Sequence, residues 1–340
     1  MSVNRLAFCA FVILLSASAP MKADAIDDAM NQLAVEAAKA GNIIWYESSP
    51  DDQADKIVAT FQKRFPSLKL DHIRDTGGNT VGGRIVQESQ GDTRTADVAT
   101  TGAAISVPLR ERKLIKEIDW NAYGLSKELA PTPYGVVTTS VVYVIVYNTA
   151  QVKEADAPKA WDDLLNPRWD GKIGIWVRGE GQGSLAATWG AEKVFDYVRK
   201  MNTLHPVLLP STFPLAQQVA AGEILVGFGL NHTAQPPIRR GAPIKVVVAD
   251  PAPLNTLYSF VPAKAKNPSG GALVATWLAT PEGAKAYEDA TDRGNPFIPG
   301  TKTYAMLRGH NTSQFPVEQA ATEAATVARI NKMIEGRETQ

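Results

Sequence analysis

The sequence predicts an α/β protein of two lobes joined by two crossing segments. Three observations predict it. Short β-type runs alternate with amphipathic helical runs along the first third of the chain, the pattern of a parallel sheet. A β-branched and aromatic run, Gly135–Thr149, is too long for one ordinary strand and suits a segment passing from one body to another. After it the strand–helix alternation begins again, and a second β-rich segment, Thr256–Pro262, offers the return crossing.

The composition sets the outer bounds. The 340 residues are 44% hydrophobic and 21% charged, enough apolar material for about two domains. Formal net charge is zero, which argues against nucleic acid as a partner. Arg5, the apolar run Leu6–Leu15 and the Ala23-Asp24-Ala25 site read as a signal peptide over residues 1–25, cleaved after Ala25. The run is too short to span a bilayer, and no later segment reaches 18 apolar residues, so the mature protein is not expected in the membrane. Removal of residues 1–25 takes away Arg5, Lys22 and Asp24 and leaves a net charge of −1. Cys9, the only cysteine, goes with them, so the mature chain holds no disulfide, Cys-metal site or Cys nucleophile.

Each element has a local reason. Asn42–Glu47 is a short β run. In the helix that follows, Ser49 can cap, Pro50 suits the first helical position, and Asp51 and Asp52 favour the positive end. Ile57, Val58, Phe61 and Phe65 then share a face. Leu68–Ile73 is the second strand, Gly82–Gln90 the next helix and Ala96–Thr100 the third strand. Beyond the long run, Gly171–Val177 is a strand and residues 184–201 a helix. The run HPVLL precedes the helix PLAQQVAAG, and Glu223–Gly229 is a further strand. Two helices, SGGALVATWLA and TPEGAKAYEDA, follow the second crossing. Ligands of open α/β sheets bind beyond the carboxyl ends of the strands, so two such sheets facing each other share a cleft.

Catalytic motifs are missing. There is no G-x-S-x-G nucleophile elbow and no H-E-x-x-H, and the four histidines, His72, His205, His232 and His310, are scattered. The glycine-rich stretch Arg74–Ile85 lacks the G-K-[ST] ending of a phosphate loop, which leaves a small-solute pocket or a plain helix entrance. No catalytic residue, metal site or cofactor is therefore assigned.

Four ordered blocks carry a family resemblance. They are Gly82–Ala104, Tyr147–Ile175, Ala220–Gly229 and Phe260–Tyr287. Together they resemble the substrate-binding proteins of bacterial ABC importers, in the extracellular solute-binding family 1 group that includes the ferric-iron binders. The resemblance implies a type II periplasmic binding fold whose lobes close over one solute. It implies a membrane permease and a cytoplasmic ATPase as partners; with the signal peptide, the protein is expected in the periplasm, as a monomer. Lobe 1 is expected over 26–140 and 255–340, lobe 2 over 141–254. The tyrosine pair of the ferric binders has no counterpart: the matching place reads Gly229–Pro237.

What remains is a pocket for a small organic anion, a carboxylate first. Phosphonates and phosphate esters come next and ferric iron third; an exported enzyme on the same fold is the alternative of another class. The expected ligand residues of lobe 1 are Tyr46, Glu47, Ser48 and Ser49 after the first strand, Thr76, Gly77, Gly78 and Asn79 at the glycine-rich loop, and Thr101 after the third strand. In lobe 2 they are Arg178, Gln182, Gly183 and Ser184 at a helix start, and Asn231. Arg178 is the expected carboxylate partner through two parallel hydrogen bonds, with Arg74 behind it. Trp45 and Trp176 lie on strands and are expected in the core.

Overall fold

The computed structural model describes residues 23–74, 80–91 and 93–336. The chain opens with α1 (Ala23–Ala40), β1 (Ile43–Glu47), α2 (Asp51–Arg64), β2 (Leu70–Arg74), α3 (Thr80–Gln90), β3 (Val98–Gly102) and α4 (Ala103–Glu111). The long strand β4 (Val136–Asn148) leads to β5 (Ile173–Trp176), α5 (Glu180–Trp189), α6 (Ala191–Asn202), β6 (Val207–Leu209), α7 (Thr212–Ala221), β7 (Val226–Leu230), α8 (Asn231–Arg239) and β8 (Ile244–Val247). The return strand β9 (Ala252–Phe260) is followed by α9 (Pro268–Leu278), α10 (Pro281–Thr291), α11 (Lys302–Leu307), β10 (Thr312–Ser313) and α12 (Ala320–Ile334).

The main path of strands runs β2-β1-β3-β9-β4-β7-β5-β6. Its outer triplets, β2-β1-β3 and β7-β5-β6, are parallel. The two long strands, antiparallel to each other, lie between them. β4 pairs with β9 from Val136 to Val142 and with β7 from Tyr143 to Tyr147, so one strand serves both halves. Its β-branched and aromatic residues suit this place, because nearly every one is buried. The apolar clusters divide the same way. One, around Trp45, Phe61, Trp277 and Tyr287, joins the first triplet to α1, α2, α9 and α10. Two more, around Trp161 with Phe228 and around Val144 with Leu215, build the other half.

Several local expectations need revision. Residues 184–201 form not one helix but two, because Gly190 at φ 80° turns the chain between α5 and α6. Ser49 does not cap α2: Pro50 stands at the cap position, and the Ser49 hydroxyl accepts a hydrogen bond from Arg293. α8 starts immediately after β7, where the sequence reading placed no helix. The chain also crosses between the lobes a third time: Ile298 belongs to the first apolar cluster and Leu307 to the cluster around Val144. The C-terminal helix α12, in the segment grouped by sequence with lobe 1, buries Ile330, Met333 and Ile334 among the side chains around Trp161. Among the described residues no helix is long and apolar enough to cross a membrane.

Candidate ligand-binding cleft

The carboxyl ends of β1 and β3 belong to one lobe, and those of β5, β6 and β7 to the other. The groups at these ends differ in kind. At the end of β1, Glu47 is fully buried. Its carboxylate accepts from the Ser49 backbone N–H at 2.5 Å and from the Tyr287 hydroxyl at 2.6 Å. Arg293 completes the set, its Nη2 lying 3.5 Å from Glu47 and donating also to the Ser49 hydroxyl. Burial opposes the charge on Glu47, but Arg293 and the hydrogen bonds from Tyr287 and Ser49 outweigh it and hold the carboxyl below its ordinary value. The same neighbours keep the guanidinium charged against its own burial.

Arg293 is therefore a cation fixed in place. Its side chain is 10% exposed. All its side-chain hydrogen bonds leave from Nη2, so Nε and Nη1 carry none among the described residues. Nε and Nη1 lie on different edges of the guanidinium, so each can donate separately to an anionic oxygen of a carboxylate or phosphate. Beside the cluster, His72 Nε2 lies 3.9 Å from Glu47 and its ring stacks edge-on against Trp45; that buried Nε2 has no hydrogen-bond partner among the described residues.

The opposing lobe presents His232, in the first turn of α8. Burial first, and then the charge of Arg293, push this imidazole down to about 3, so it is neutral at any physiological pH. The same helix, α8, reaches the neighbourhood of Arg293 through Arg239, which donates to the adjacent Asp292 at 2.6 and 2.9 Å. His232 Nδ1 is buried with no hydrogen-bond partner among the described residues. Phe213 packs edge-on against the His232 ring at 6.0 Å. Trp176, at the end of β5, is only half-buried rather than in the core, and its indole N–H donates to Pro210 O at 3.1 Å.

The residues expected from sequence fall in different places. Glu47 and Ser49 meet at the Arg293 cluster; Ser48 beside them is exposed, its hydroxyl 3.4 Å from Glu47. Tyr46 points to the opposite face, as strand alternation requires, and donates to Glu88 at 2.9 Å beneath Arg84. Thr101 is buried at the end of β3. Trp45 is in the core, its indole N–H donating to Thr100 at 2.9 Å. Asn231 begins α8 and accepts from Gln235 at 2.8 Å. Arg178 and Arg74 are exposed; the Arg178 guanidinium lies 5.5 Å over the Trp176 ring. Gln182, Gly183 and Ser184 are buried inside α5. A Cβ at Gly183 would stand 2.4 Å from Val327 of α12, and the Gly179 N–H already donates to Asn331 of α12 at 2.7 Å. That helix start is thus covered by the C-terminal helix rather than left open to a solute. Thr76, Gly77, Gly78 and Asn79 lie outside the described residues.

Sequence reasoning missed Arg293 and Tyr287. Both come from the α10 region, some 240 residues beyond Glu47, and no local motif marks them. Among the described residues no group of three or more His, Cys, Asp or Glu side chains is placed to share a metal ion.

Comparison with known proteins places this geometry. Iron-bound HitA from Pseudomonas aeruginosa superposes with a TM-score of 0.71 at 16% identity, over 85% of this chain and 99% of that one. The substrate binding protein of an ABC transporter from Agrobacterium tumefaciens gives 0.70 at 18% identity, over 89% and 97%. The periplasmic binding protein AfuA from Actinobacillus pleuropneumoniae, with fructose-6-phosphate bound, gives 0.69 at 18%, over 87% and 99%. The fold is that of the two-lobed type II periplasmic binding proteins. An uncharacterized protein of Haemophilus influenzae is 24% identical over 225 residues, 61% of this chain and 64% of that one, so the match spans less than two thirds of that relative. The model of a family described as bacterial extracellular solute-binding protein matches residues 115–324, and this chain belongs to that family.

Proposed function

We propose that this protein is the solute-capturing component of an ABC importer and that its solute is a small organic anion gripped between the lobes by Arg293. The observation that carries the reading is the fixed guanidinium: Glu47 and Ser49, with Tyr287 behind them, hold Arg293 by Nη2, while Nε and Nη1 carry no hydrogen bond among the described residues. A cation already neutralised in part by a buried carboxylate suits a carboxylate or a phosphate ester better than Fe(III), which needs anionic oxygen ligands. Ser49 and Asn231 add polar groups at the two sides. Arg178 stands at the rim, over Trp176.

The protein works after export, with residues 1–25 as its signal peptide, and hands its solute to a permease driven by an ATPase. Lobe 1 comprises 26–140 with the segment from 255 through α10, and lobe 2 comprises 141–254 with α12. The lobes close because each touches the anion only when shut, so ligand shifts the population toward the closed form. It does this without chemistry on the solute.

The test is thermal melting of the purified protein against a panel of carboxylates, phosphonates and phosphate esters, with ferric citrate as a separate arm. A true solute at 100 times its Kd adds about 2.7 kcal/mol and is recovered unchanged. A panel with no stabilising anion, stabilisation by ferric citrate alone, or consumption of the hit would each reject the reading.

A further inference from the structure

In the second lobe, three flat side chains stand at the carboxyl ends of neighbouring strands. Strands β7, β5 and β6 are neighbours and parallel, so their carboxyl ends lie side by side. From these ends come His232 at the start of α8, Trp176 at the end of β5 and Phe213 in the first turn of α7. Phe213 is 48% exposed, among the few large apolar side chains in the described residues that are not covered. Nothing in the local fold asks for a phenyl there. The α7 cap is made by Ser211, whose hydroxyl accepts from the Phe213 backbone N–H at 3.3 Å, so any residue with an N–H would serve. The ring contact Phe213 makes is with His232, edge-on, at 84° between planes. Trp176 is pinned by its bond to Pro210 O, in the loop just before α7. The His232 imidazole is uncharged, and its buried Nδ1 has no hydrogen-bond partner among the described residues.

We infer that the solute is a planar aromatic anion, its charged group on Arg293 and its ring against Phe213, Trp176 and His232. This deepens the organic-anion reading and rests on it. The pattern has a charge-fixing cation on one lobe and stiff flat side chains on the other. A ring laid against these side chains gains contact area and favourable quadrupole geometry, which a saturated ring of the same size matches poorly. The buried Nδ1 of His232, with no hydrogen-bond partner among the described residues, offers an acceptor to a ring substituent such as a hydroxyl or ring N–H.

The test uses the full mature protein and matched pairs of six-membered-ring anions: aromatic and saturated carboxylates, and aromatic and saturated phosphate esters, with hydroxylated members of each. Binding is read by calorimetry and by quenching of tryptophan fluorescence, for the wild type, Phe213→Ala and Phe213→Leu. The expected result is a preference of about tenfold or more for the aromatic member in the wild type. Both variants, which lose an exposed side chain and should fold, are expected to abolish most of that preference. Equal binding of saturated and aromatic members, or a preference unchanged in Phe213→Leu, overturns the aromatic inference while the organic-anion reading stands. If no ring anion binds but open-chain anions do, the aromatic inference alone fails. If no organic anion of any shape binds, the organic-anion reading fails, and the inference with it.

Discussion

Arg293 and Glu47, 246 residues apart in the chain, form an ion pair in which the carboxylate is fully buried. Breaking such a pair from one side strands a charge in a poorly solvated place, which typically costs about 3–5 kcal/mol. Glu47→Ala is expected to lose stability of that order in urea unfolding. Glu47→Gln keeps the shape and one acceptor and is expected to lose less, while still weakening solute binding because Arg293 is no longer fixed.

His232 sets an acid limit. Its folded-state value of about 3 lies below the ordinary 6.5, so the unfolded chain binds the extra proton between these values. Stability contributed by the neutral ring is full above about pH 6.5 and falls as pH drops toward 3, by at most about 1.4 kcal/mol per pH unit. His232→Gln is expected to flatten the stability–pH curve in that window, as measured by denaturant midpoints from pH 7 to 4. An unchanged slope would place the acid sensitivity elsewhere.

Glu180 and Glu323 work in the opposite sense. Burial raises both carboxyls, and Glu180 raises Glu323 further. Glu180 Oε2 is buried without a hydrogen-bond partner among the described residues. Groups raised in the folded state help it below their unfolded value near 4.5, and that help is lost as pH rises through the raised values. At pH 7–8 the pair is a liability, so Glu323→Gln is expected to stabilise the protein by about 1 kcal/mol. The gain should vanish at pH 4, and thermal melting at the two pH values checks it.

Across the lobes, Arg239 of α8 grips both oxygens of Asp292 at the end of α10, at 2.6 and 2.9 Å. Arg239 is largely exposed, so the pair is worth at most about 1 kcal/mol. Arg239→Ala is expected to shift the lobe equilibrium by no more than about fivefold. Small-angle scattering of the solute-free protein should show a slightly larger mean radius, more so at low salt, where the wild-type pair is least screened.

Much of the fold was legible in the sequence, because periodicity and turn residues act locally. The long run Gly135–Thr149 was readable as a crossing from its length and its β-branched residues, and Gly222 at φ 79° ends α7 where the pattern stops. The site was less legible. Glu47 and Ser49 could be named because they end a strand, but their roles come from Arg293, a residue of an unremarkable Asp-Arg-Gly turn that only the tertiary fold brings near. Arg178 looked suited to a carboxylate because it follows a strand and precedes a glycine-rich helix start. α12 covers that helix start, with Ile330 so close that a Cβ on Gly179 would lie 2.2 Å from its Cγ2. A helix that sequence reading left unassigned thus takes the space the loop would have offered.

The central claim is tested most directly by titrating the stabilising organic anion into wild-type, Arg293→Ala and Arg178→Ala protein. Loss of a buried charged partner costs about 2–5 kcal/mol, so Arg293→Ala is expected to weaken binding at least thirtyfold. Arg178→Ala, at an exposed rim position, should stay within about threefold of wild type. Undiminished binding by Arg293→Ala, or a collapse in Arg178→Ala alone, would contradict the account.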